Sequence, residues 1–423
     1  MDAGVADPLS MAGHRSTPPS ARVGQPGGRP AVPLLVFSDD WGRHPSSAQH
    51  LVSRFLGTRM VLWVNTIGTR PPRLDMQTVR RAMEKLRHWS GRPAASPNPH
   101  TAPTVLSPRM WPSFGSRSAR RVNRRLIAGA LQPAIARLPL PPLVITTLPI
   151  TADLVGAFPA AGWIYYCVDD FATWPGYDGQ TMRVMERELV AKVDRLVAVS
   201  AHLVDHLGQL GRPSELLTHG VDLAHWQQAQ SAGGTVPDEL AGLEPPFVVF
   251  WGAIDRRMDR AFVSALSDAM RQGSIVLVGP QDDPDPTLVD IPRVALRPAV
   301  PYARLPAIGG AADVLVMPYG DMPATRAMQP LKLKEYLATG KPVVVRALPA
   351  TLPWARACDV CDSAQSFAAA VLQRLESGVP VAQQLARRAL DDETWEAKAL
   401  ALSGWIDALT APPPAVSPAA GRL

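Results

Sequence analysis

Short apolar runs that alternate with helical patterns constrain the fold of this chain more than any other feature. The first half contains the runs "PLLVFS" (33–38), "MVLWVN" (60–65), "LVITT" (143–147), "WIYYCV" (163–168) and "RLVAVS" (195–200). The second half repeats the plan with "FVVFWG" (247–252), "SIVLVG" (274–279), "ADVLVMP" (312–318) and "PVVV" (342–345). Uninterrupted apolar strands separated by helices are typical of a parallel sheet that is covered on both faces. The sequence therefore predicts two doubly wound, Rossmann-like α/β domains in series.

The length of the chain also favours two domains, because 423 residues exceed what one hydrophobic core usually serves. We predict disordered tails at 1–30 and 412–423, where Pro, Gly and Ser are frequent and apolar residues are sparse. The first domain is predicted to start at residue 31 and to extend to 228. The second domain is predicted to cover 229–392, beginning with a linker rich in Gly and Pro.

The composition predicts a soluble enzyme of a reducing compartment. Hydrophobic residues make up 46% of the chain and charged residues 19%, and only three cysteines are present. We find no apolar core of a secretory signal near the start and no run long enough for a membrane span, so we expect a cytoplasmic protein. The formal charge of +6 is concentrated in the first half. This excess suggests either an anionic partner or simple solubility.

The stretch "QPLKLKEYLATGKPVVV" predicts a short helix over about 330–339 that ends at a buried strand. Pro330 suits the first helical position, where a missing N–H costs nothing. Gly340 suits a left-handed cap after the last turn, and the proline two residues later prevents continuation. We therefore expect "PVVV" to enter the sheet as a core strand.

Lys332 and Glu335 fall on the opposite side of this helix from Leu333, Tyr336 and Leu337, which we expect to pack on the sheet. The side that carries Lys332 and Glu335 is predicted to face outward. A helix N-terminus above the carboxyl edge of a parallel sheet is a ready site for anions, and Lys332 would add a full positive charge for a diphosphate. Glu335 could accept hydrogen bonds from a ribose diol. The alternative is a surface ion pair of little energetic value.

Four segments of the second half, in this order, resemble the nucleotide-binding domain of GT-B glycosyltransferases of the group 1/family 4 type. They are "FWGAIDRRMDRAFV" (250–263), "IVLVGP" (275–280), "VPYARLPAIGGAADVLVMPY" (300–319) and "PLKLKEYLATGKPVV". The resemblance is strongest to bacterial polysaccharide transferases of the teichuronic-acid kind. It extends to "SPRMWPSFGSRSARRVNRRL" (107–126), "WIYYCVDDF" (163–171) and "LLTHGVDLAHW" (216–226), and covers about residues 33–410.

This resemblance implies two domains that face each other across a cleft. The first would bind the acceptor and be completed by a crossover helix within 393–411, and the second would bind the nucleotide sugar. It implies a donor linked to UDP or GDP and neither a metal nor another cofactor. The residues implied in donor binding are Gly252, Arg256, Arg257, Tyr319, Lys332, Glu335 and His219.

One position departs from the family pattern. Glu335 matches the second glutamate of the family's E-x7-E motif, whereas the first position falls on Ala327. Because that first glutamate helps to position the donor sugar and is tied to the retaining mechanism, its replacement leaves the anomeric outcome open. The segment "LKLKEY" also resembles part of xanthan-type glucuronosyltransferases, which hints at an acidic donor sugar.

Glycosyl transfer needs a stabilised leaving diphosphate and an acceptor hydroxyl that is oriented or deprotonated. Without a metal the first task falls to cations and backbone N–H groups, and the predicted groups are Lys332, Arg256 or Arg257, and the backbone of Gly252. For the base we favour Asp170, with Asp169 second, since both follow a buried strand at its carboxyl end. One of the two could instead cap the next helix.

Two further segments are assigned to the acceptor and the membrane. The family places acceptor contacts in the loop after the first strand, "SDDWGRHPSSAQHL" (38–51), and the residues predicted to make them are Gly42, Arg43, Ser46, Ser47 and Gln49. Gly42 suits a tight turn, and either serine could cap a helix. A basic helix is predicted to dock on an anionic inner membrane leaflet through Arg117, Arg120, Arg121, Arg124 and Arg125. The alternative for these arginines is an ordinary solvated helix.

The function predicted from the sequence is that of a cytoplasmic hexosyltransferase in cell-envelope or exopolysaccharide assembly, peripheral to the inner membrane face, with a lipid-linked or glycan acceptor. A sugar-nucleotide epimerase on the same fold is one alternative, which would need no acceptor loop. A catalytically silent binding protein is the other. Nucleic-acid binding is not expected, because no aromatic residues are interleaved with the basic helix.

Overall fold

The computed structural model describes residues 31–42, 46–65, 102–174, 177–231 and 236–411. The predicted tails, and Arg43 of the predicted acceptor loop, lie outside the described residues.

The first half of the described chain forms a parallel sheet of seven strands in the order β3-β2-β1-β4-β5-β6-β7. The strands are β1 (Leu34–Ser38), β2 (Val61–Asn65), β3 (Thr104–Leu106), β4 (Leu143–Thr146), β5 (Gly162–Cys167), β6 (Arg195–Ala198) and β7 (Glu215–Leu216). β1, β4 and β5 are buried along their whole length, which explains their unbroken apolar sequence.

The second half forms a parallel sheet whose six described strands have the order β10-β9-β8-β11-β12-β13. They are β8 (Phe247–Trp251), β9 (Ser274–Val278), β10 (Val294–Arg297), β11 (Val314–Met317), β12 (Val343–Arg346) and β13 (Asp359–Cys361). In each sheet the strand order reverses at one point, between β1 and β4 in the first and between β8 and β11 in the second. Ligands of doubly wound sheets bind in the crevice at such switch points.

The described helices connect the strands of both sheets. They are α1 (Ser47–Ser53), α2 (Arg117–Ile135), α3 (Gly179–Lys192), α4 (Ala201–Gln209), α5 (Leu223–Ser231), α6 (Arg260–Ala269), α7 (Leu305–Ala311), α8 (Pro323–Ala327), α9 (Leu331–Ala338), α10 (Ala364–Ser377), α11 (Val381–Ala386) and α12 (Trp395–Thr410). Several begin at a residue whose side chain accepts a hydrogen bond from the first turn, among them Ser46, Ser116, Ser200 and Thr394. The predicted fold class, two doubly wound α/β sheets, is confirmed.

The buried apolar residues form two clusters, one around each sheet. Trp395, Leu402 and Ile406 of the last helix, α12, pack in the first cluster although they follow the second sheet in sequence. Val221 and Trp226 pack in the second cluster. The chain therefore crosses between the two clusters near 217–221 and again near 390–395. The residue bounds assigned to the two domains stay a prediction.

Helix α9, which carries Lys332 and Glu335, differs in two ways from the prediction. Pro330 takes the N-cap position rather than the first helical one, while Gly340 has the expected left-handed conformation, with φ +79°. The expectation that Glu335 faces outward is wrong, because its exposed fraction is 9%. The reason is that α9 is covered on its second side as well. There the indole of Trp251, at the end of β8, donates its N–H to Glu335 at 3.3 Å.

Candidate active site

Two glycines bring the backbone of the second sheet close together at its switch point. Gly252 follows β8 with φ +139°, and a Cβ atom added there would lie 2.4 Å from Cε of Lys332. At Gly279, after β9, an added Cβ would lie 1.8 Å from the carbonyl oxygen of Gly252. Side chains are excluded from both positions, so the aliphatic part of Lys332 rests directly on the backbone after β8.

The amino group of Lys332 is fixed by aromatic groups rather than by a carboxylate. Its Nζ atom donates to the hydroxyl of Tyr319 at 2.6 Å and lies 5.0 Å from the centroid of that ring. Tyr319 follows β11 and is fully buried. Among the described residues no carboxylate lies within ion-pair distance of Lys332, so the alternative of a surface ion pair with Glu335 is wrong. An unneutralised cation is thus held at the end of β8 and β11.

Glu335 lies in a cluster of aromatic side chains. Its Oε2 atom accepts a hydrogen bond from Nε1 of Trp251 at 3.3 Å, and the side chain of Tyr302 lies nearby. Tyr302 stacks on His225 with 4.3 Å between ring centroids. Burial raises the pKa of Glu335 to about 7, against the opposing effects of these hydrogen bonds and of Lys332. Near neutral pH the side chain of Glu335 is therefore present in both its ionised and its protonated form.

Arg257 lies between the two halves of the molecule. Its guanidinium forms a fork with Asp255, with Nη2 at 2.7 Å from Oδ2. Its Cζ atom lies 5.3 Å from the ring centroid of Tyr319 and 4.9 Å from that of Trp174, which follows β5 of the first sheet. The neighbouring Arg256 is not part of this group, because it forms an exposed pair with Asp283 at 3.2 Å.

Asp169 and Asp170, at the carboxyl end of β5, have different surroundings. Oδ1 of Asp170 accepts a hydrogen bond from the backbone N–H of Ala172 at 3.1 Å, so this carboxylate caps the following turn. Burial raises the pKa of Asp169 to about 7, although the charge of Arg257 acts in the opposite direction. From the sequence, either of the two aspartates could cap the following helix. The structure assigns the capping role to Asp170, the residue that the sequence favours as the base.

The loop after β1 is organised by Asp39, a residue that is absent from the sites predicted from the sequence. Its carboxylate accepts hydrogen bonds from Ser46 Oγ at 2.8 Å and from Gln49 Nε2 at 2.9 Å. Gly42 has φ +78°, and its N–H donates to Gln49 Oε1 at 3.0 Å. Burial raises the pKa of Asp39. Of the predicted acceptor residues, the loop thus joins Gly42, Ser46 and Gln49, while Ser47 is buried in α1. The paired aspartates of "SDDWG" were the available signal for Asp39.

Comparison with known proteins places this geometry in context. No family model matches the chain. A stretch of 178 residues, 41% of this chain and 45% of the other, is 26% identical to TuaH of Bacillus subtilis strain 168, which carries the name of a teichuronic acid biosynthesis glycosyltransferase. The sucrose-phosphate synthase of Thermosynechococcus elongatus has a TM-score of 0.66 at 17% identity, over 90% of this chain and 99% of that one.

Two further solved structures superimpose over nearly their whole length. The α,α-trehalose 6-phosphate synthase of Burkholderia multivorans gives a TM-score of 0.63 at 14% identity, over 90% of this chain and 99% of that one. HepE of Anabaena in complex with UDP-glucose gives 0.59 at 12% identity, over 89% and 99%. This protein has the GT-B fold. Its resemblance to polysaccharide transferases of the teichuronic-acid kind, predicted from the sequence, is confirmed by the match to TuaH.

Within the GT-B fold, His219 and Asp222 lie where the chain crosses between the two halves. His219 is buried, its Nδ1 atom has no hydrogen-bond partner, and burial lowers its pKa to about 3. The backbone of Gly220 packs against Trp395, and Asp222 pairs with Arg54 at 3.3 Å. These contacts give the segment a packing role. The structure does not bring His219 together with Lys332 and Arg257.

Ala327, at the departure from the family motif, is buried against the first half of this GT-B chain. Its carbonyl oxygen accepts a hydrogen bond from Ser200 Oγ at 2.9 Å, and its side chain belongs to the apolar cluster of the first sheet. The position is therefore a contact between the two halves and offers no carboxylate to a donor sugar.

The predicted membrane-facing arginines of α2 divide into two groups. Arg117, Arg121, Arg124 and Arg125 are exposed, together with Val122 and Leu126. Arg120 differs from the expectation, because it is bound by Asp153 at 2.7 Å and by Glu188 and is only 15% exposed. We find no helix in the described part of the chain with the length and apolar character needed to span a bilayer.

Proposed function

We propose that this protein is a glycosyltransferase that moves a sugar from a nucleotide diphosphate donor to a hydroxyl of an acceptor. The observation that carries the proposal is the placement of Lys332 and Arg257 at the switch point of the second sheet, opposite Asp169 of the first. A leaving diphosphate needs positive charge, and an attacking hydroxyl needs a proton acceptor. The described cleft offers both from opposite walls.

The donor would bind against the second sheet. The amino group of Lys332 lacks a carboxylate partner in the described structure, so it is free to compensate a diphosphate. The glycine backbone after β8 leaves room for a phosphate to approach. Glu335, in the ionised form, would accept hydrogen bonds from a ribose diol. HepE, which shares the fold, has been solved with UDP-glucose bound, and this supports a UDP-linked hexose as the first donor to test.

We assign the role of the base to Asp169 before Asp170. A carboxylate with a pKa near 7 is a better proton acceptor than an ordinary aspartate and is still partly ionised at neutral pH. Asp170 already accepts the N–H of Ala172, which ties its carboxylate to the turn. The acceptor would enter beside the loop that Asp39 holds, because β1 and β5 end on the same edge of the sheet.

The acceptor is proposed to be a lipid-linked glycan of the cell envelope. The name of TuaH supports this pathway, although the match spans less than half of either chain. The exposed arginines of α2, together with the exposed apolar residues Val122 and Leu126 of the same helix, would hold the protein to an anionic leaflet. Lipid-linked acceptors are available at such a leaflet. This docking would make the protein peripheral to the cytoplasmic membrane face.

The two alternatives make different demands on the site. An epimerase would bind the same donor and need no second substrate, so product would form without acceptor. A silent binding protein would not need Asp169 beside Arg257. Asp169, a partly buried aspartate with a raised pKa, and Lys332, a lysine without a described carboxylate partner, are both unfavourable for stability, and this favours a catalytic protein over a silent one.

The test is a panel of UDP-, GDP- and dTDP-sugars, screened by thermal shift and followed by transfer assays with membrane lipid extracts. Lys332→Ala should lower turnover with folding intact, whereas Lys341→Ala, just beyond the same helix, is the matched control. Asp169→Asn should lower turnover about 100-fold without changing donor affinity. If Asp169→Asn and Asp170→Asn both keep normal turnover, the proposed base is wrong, and a base-free mechanism replaces it. If no nucleotide sugar binds, the proposed function itself fails.

A further inference from the structure

Among the phenylalanine, tyrosine and tryptophan side chains of the described chain, only that of Trp111 is exposed. It lies in the segment between β3 and α2, its exposed fraction is 57%, and it is absent from the sites predicted from the sequence. A single exposed apolar side chain is common on proteins and by itself indicates no function. Two other observations distinguish Trp111: the way its backbone is held and the residues that surround it.

The backbone of Trp111 is held against helix α2 by the side chain of Asn123. The N–H of Trp111 donates to Oδ1 of Asn123 at 2.6 Å, and Nδ2 of Asn123 donates to the carbonyl oxygens of Trp111 at 3.1 Å and of Ser113 at 3.0 Å. Asn123 is 2% exposed, so water does not compete for these bonds, which use both N–H donors of its amide. The segment is thus fixed with the indole outside, and little conformational entropy is lost when a partner covers it.

The surroundings of Trp111 are basic and apolar. Residues 107–126 contain six arginines and no acidic residue. Five of the arginines are exposed, namely Arg109, Arg117, Arg121, Arg124 and Arg125. Val122, next to Asn123 on α2, and Leu126, one turn further, have exposed fractions of 43% and 44%. An indole and two aliphatic side chains among cations fit the boundary of an anionic bilayer, where phosphates lie directly above hydrocarbon.

We propose that Trp111 is an interfacial anchor that enters an anionic membrane leaflet while the exposed arginines bind its phosphates. The proposal rests on the membrane docking that is part of the proposed function, and it adds an apolar contact that the arginines cannot supply. Attraction between guanidinium groups and headgroups is screened by salt. An indole seated between the headgroups and the acyl chains contributes binding that salt does not screen.

The same cations would also attract nucleic acid, so the apolar side chains decide between the two partners. A single-stranded nucleic acid offers base faces on which one tryptophan can stack. It has no apolar layer that could cover Val122 and Leu126 as well. A bilayer covers all three side chains at once, and the charge of its anionic headgroups complements that of the arginines.

The first experiment follows the emission of Trp111 itself. The chain has eleven tryptophans, and the difference between the wild type and Trp111→Phe isolates the signal of this one. In the free protein the signal should be that of a water-exposed indole and should be quenched by acrylamide. With vesicles of mixed phosphatidylglycerol and phosphatidylcholine it should shift to shorter wavelength, escape acrylamide, and be quenched by lipids that are brominated in the upper acyl chain.

Three results of this experiment would overturn the proposal. A Trp111 signal that is already protected from acrylamide in the free protein would mean that another part of the chain covers it. A signal that stays unchanged while the protein binds the vesicles would mean that the arginines dock without an anchor. A signal that responds to single-stranded RNA and not to vesicles would assign the surface to nucleic acid.

The second experiment measures partitioning onto the same vesicles against salt concentration. Trp111→Ala should lower partitioning about tenfold, the usual scale for one buried apolar side chain, and by the same factor at each salt concentration. Arg121→Gln should instead reduce the dependence on salt. Leu400→Ala, at a side chain that is 69% exposed on α12, is the matched control and should partition like the wild type. Wild-type partitioning of Trp111→Ala would refute the anchor.

Neither experiment requires activity, so the possible failures are separable. If the wild type does not bind anionic vesicles at all, the membrane docking of the proposed function is wrong, and the anchor is wrong with it. If the wild type binds and Trp111 stays in water, only the anchor is wrong. If Trp111 enters the bilayer while no nucleotide sugar binds the protein, the anchor stands and the proposed glycosyl transfer is wrong.

Discussion

The buried carboxylate of Glu335 should make this protein less stable as the pH rises, and its replacement by glutamine should remove the effect. Burial raises its pKa from the ordinary 4.5 to about 7 in the folded chain. Between these values the folded state binds more protons than the unfolded state, so the free energy of unfolding falls as pH rises from about 4.5 to about 7. The shift of roughly 2.5 units corresponds to about 3 kcal/mol.

Glu335→Gln is the sharpest form of this test, because glutamine keeps the shape and the oxygen that accepts from Trp251. At pH 8 the variant should exceed the wild type in stability by up to about 3 kcal/mol, the full linkage term. At pH 4.5, where the glutamate is half protonated in the unfolded chain and almost fully protonated in the folded one, the two proteins should differ by less than about 0.5 kcal/mol. Urea unfolding at pH 4.5, 6 and 8, followed by tryptophan fluorescence, measures the difference.

A difference between the two proteins that is the same at every pH would refute the reasoning, and so would a variant less stable than the wild type at pH 8.

A positive result has a consequence for binding. Hydrogen bonds from a ribose diol favour the ionised carboxylate, so UDP should bind the wild type more tightly at pH 8 than at pH 5.5. Binding to Glu335→Gln should be weaker and should lose the part of the pH dependence that Glu335 contributes, which calorimetry would detect.

Three further outcomes are expected. Gly252→Ala should weaken nucleotide binding by displacing Lys332, whereas Gly129→Ala, where an added Cβ meets nothing within 4 Å, should not; calorimetry with UDP compares them. Ala327→Glu, which restores the family residue at a buried contact, should destabilise the fold by several kcal/mol, as thermal melting would reveal. Replacing the exposed arginines of α2 by glutamate should abolish sedimentation with anionic vesicles, which in the wild type should fall with rising salt. Equal sedimentation with neutral vesicles would contradict this last outcome.

Local chemistry in the sequence was sufficient to predict the strands and several turns. The unbroken apolar runs became the buried strands, Gly42 and Gly340 took positive φ, and Ser46 capped α1. These features depend on residues close together in the chain. The same patterns could not show that α9 is covered on the side of Glu335, because the covering residue, Trp251, is distant in sequence.

The distinction between Asp169 and Asp170 also lay beyond the sequence. Two adjacent carboxylates at a strand end have the same pattern, and only the N–H of Ala172 and the position of Arg257 separate them. Trp174 was missed for a related reason. Its ring lies 4.9 Å from Cζ of Arg257 on the opposite wall, and an aromatic residue in a turn carries no signal of its own until the second sheet is in place.

Both walls of the cleft keep groups that cost stability in the free protein. Glu335 and Asp169 are carboxylates whose pKa is raised to about 7 by burial, and Lys332 is a cation that no described carboxylate neutralises. A nucleotide diphosphate would change two of these groups, since its ribose would donate to Glu335 and its phosphates would compensate Lys332. Any ligand that binds only the folded state adds stability. Part of the stability that these groups cost the free protein is therefore regained when the donor binds.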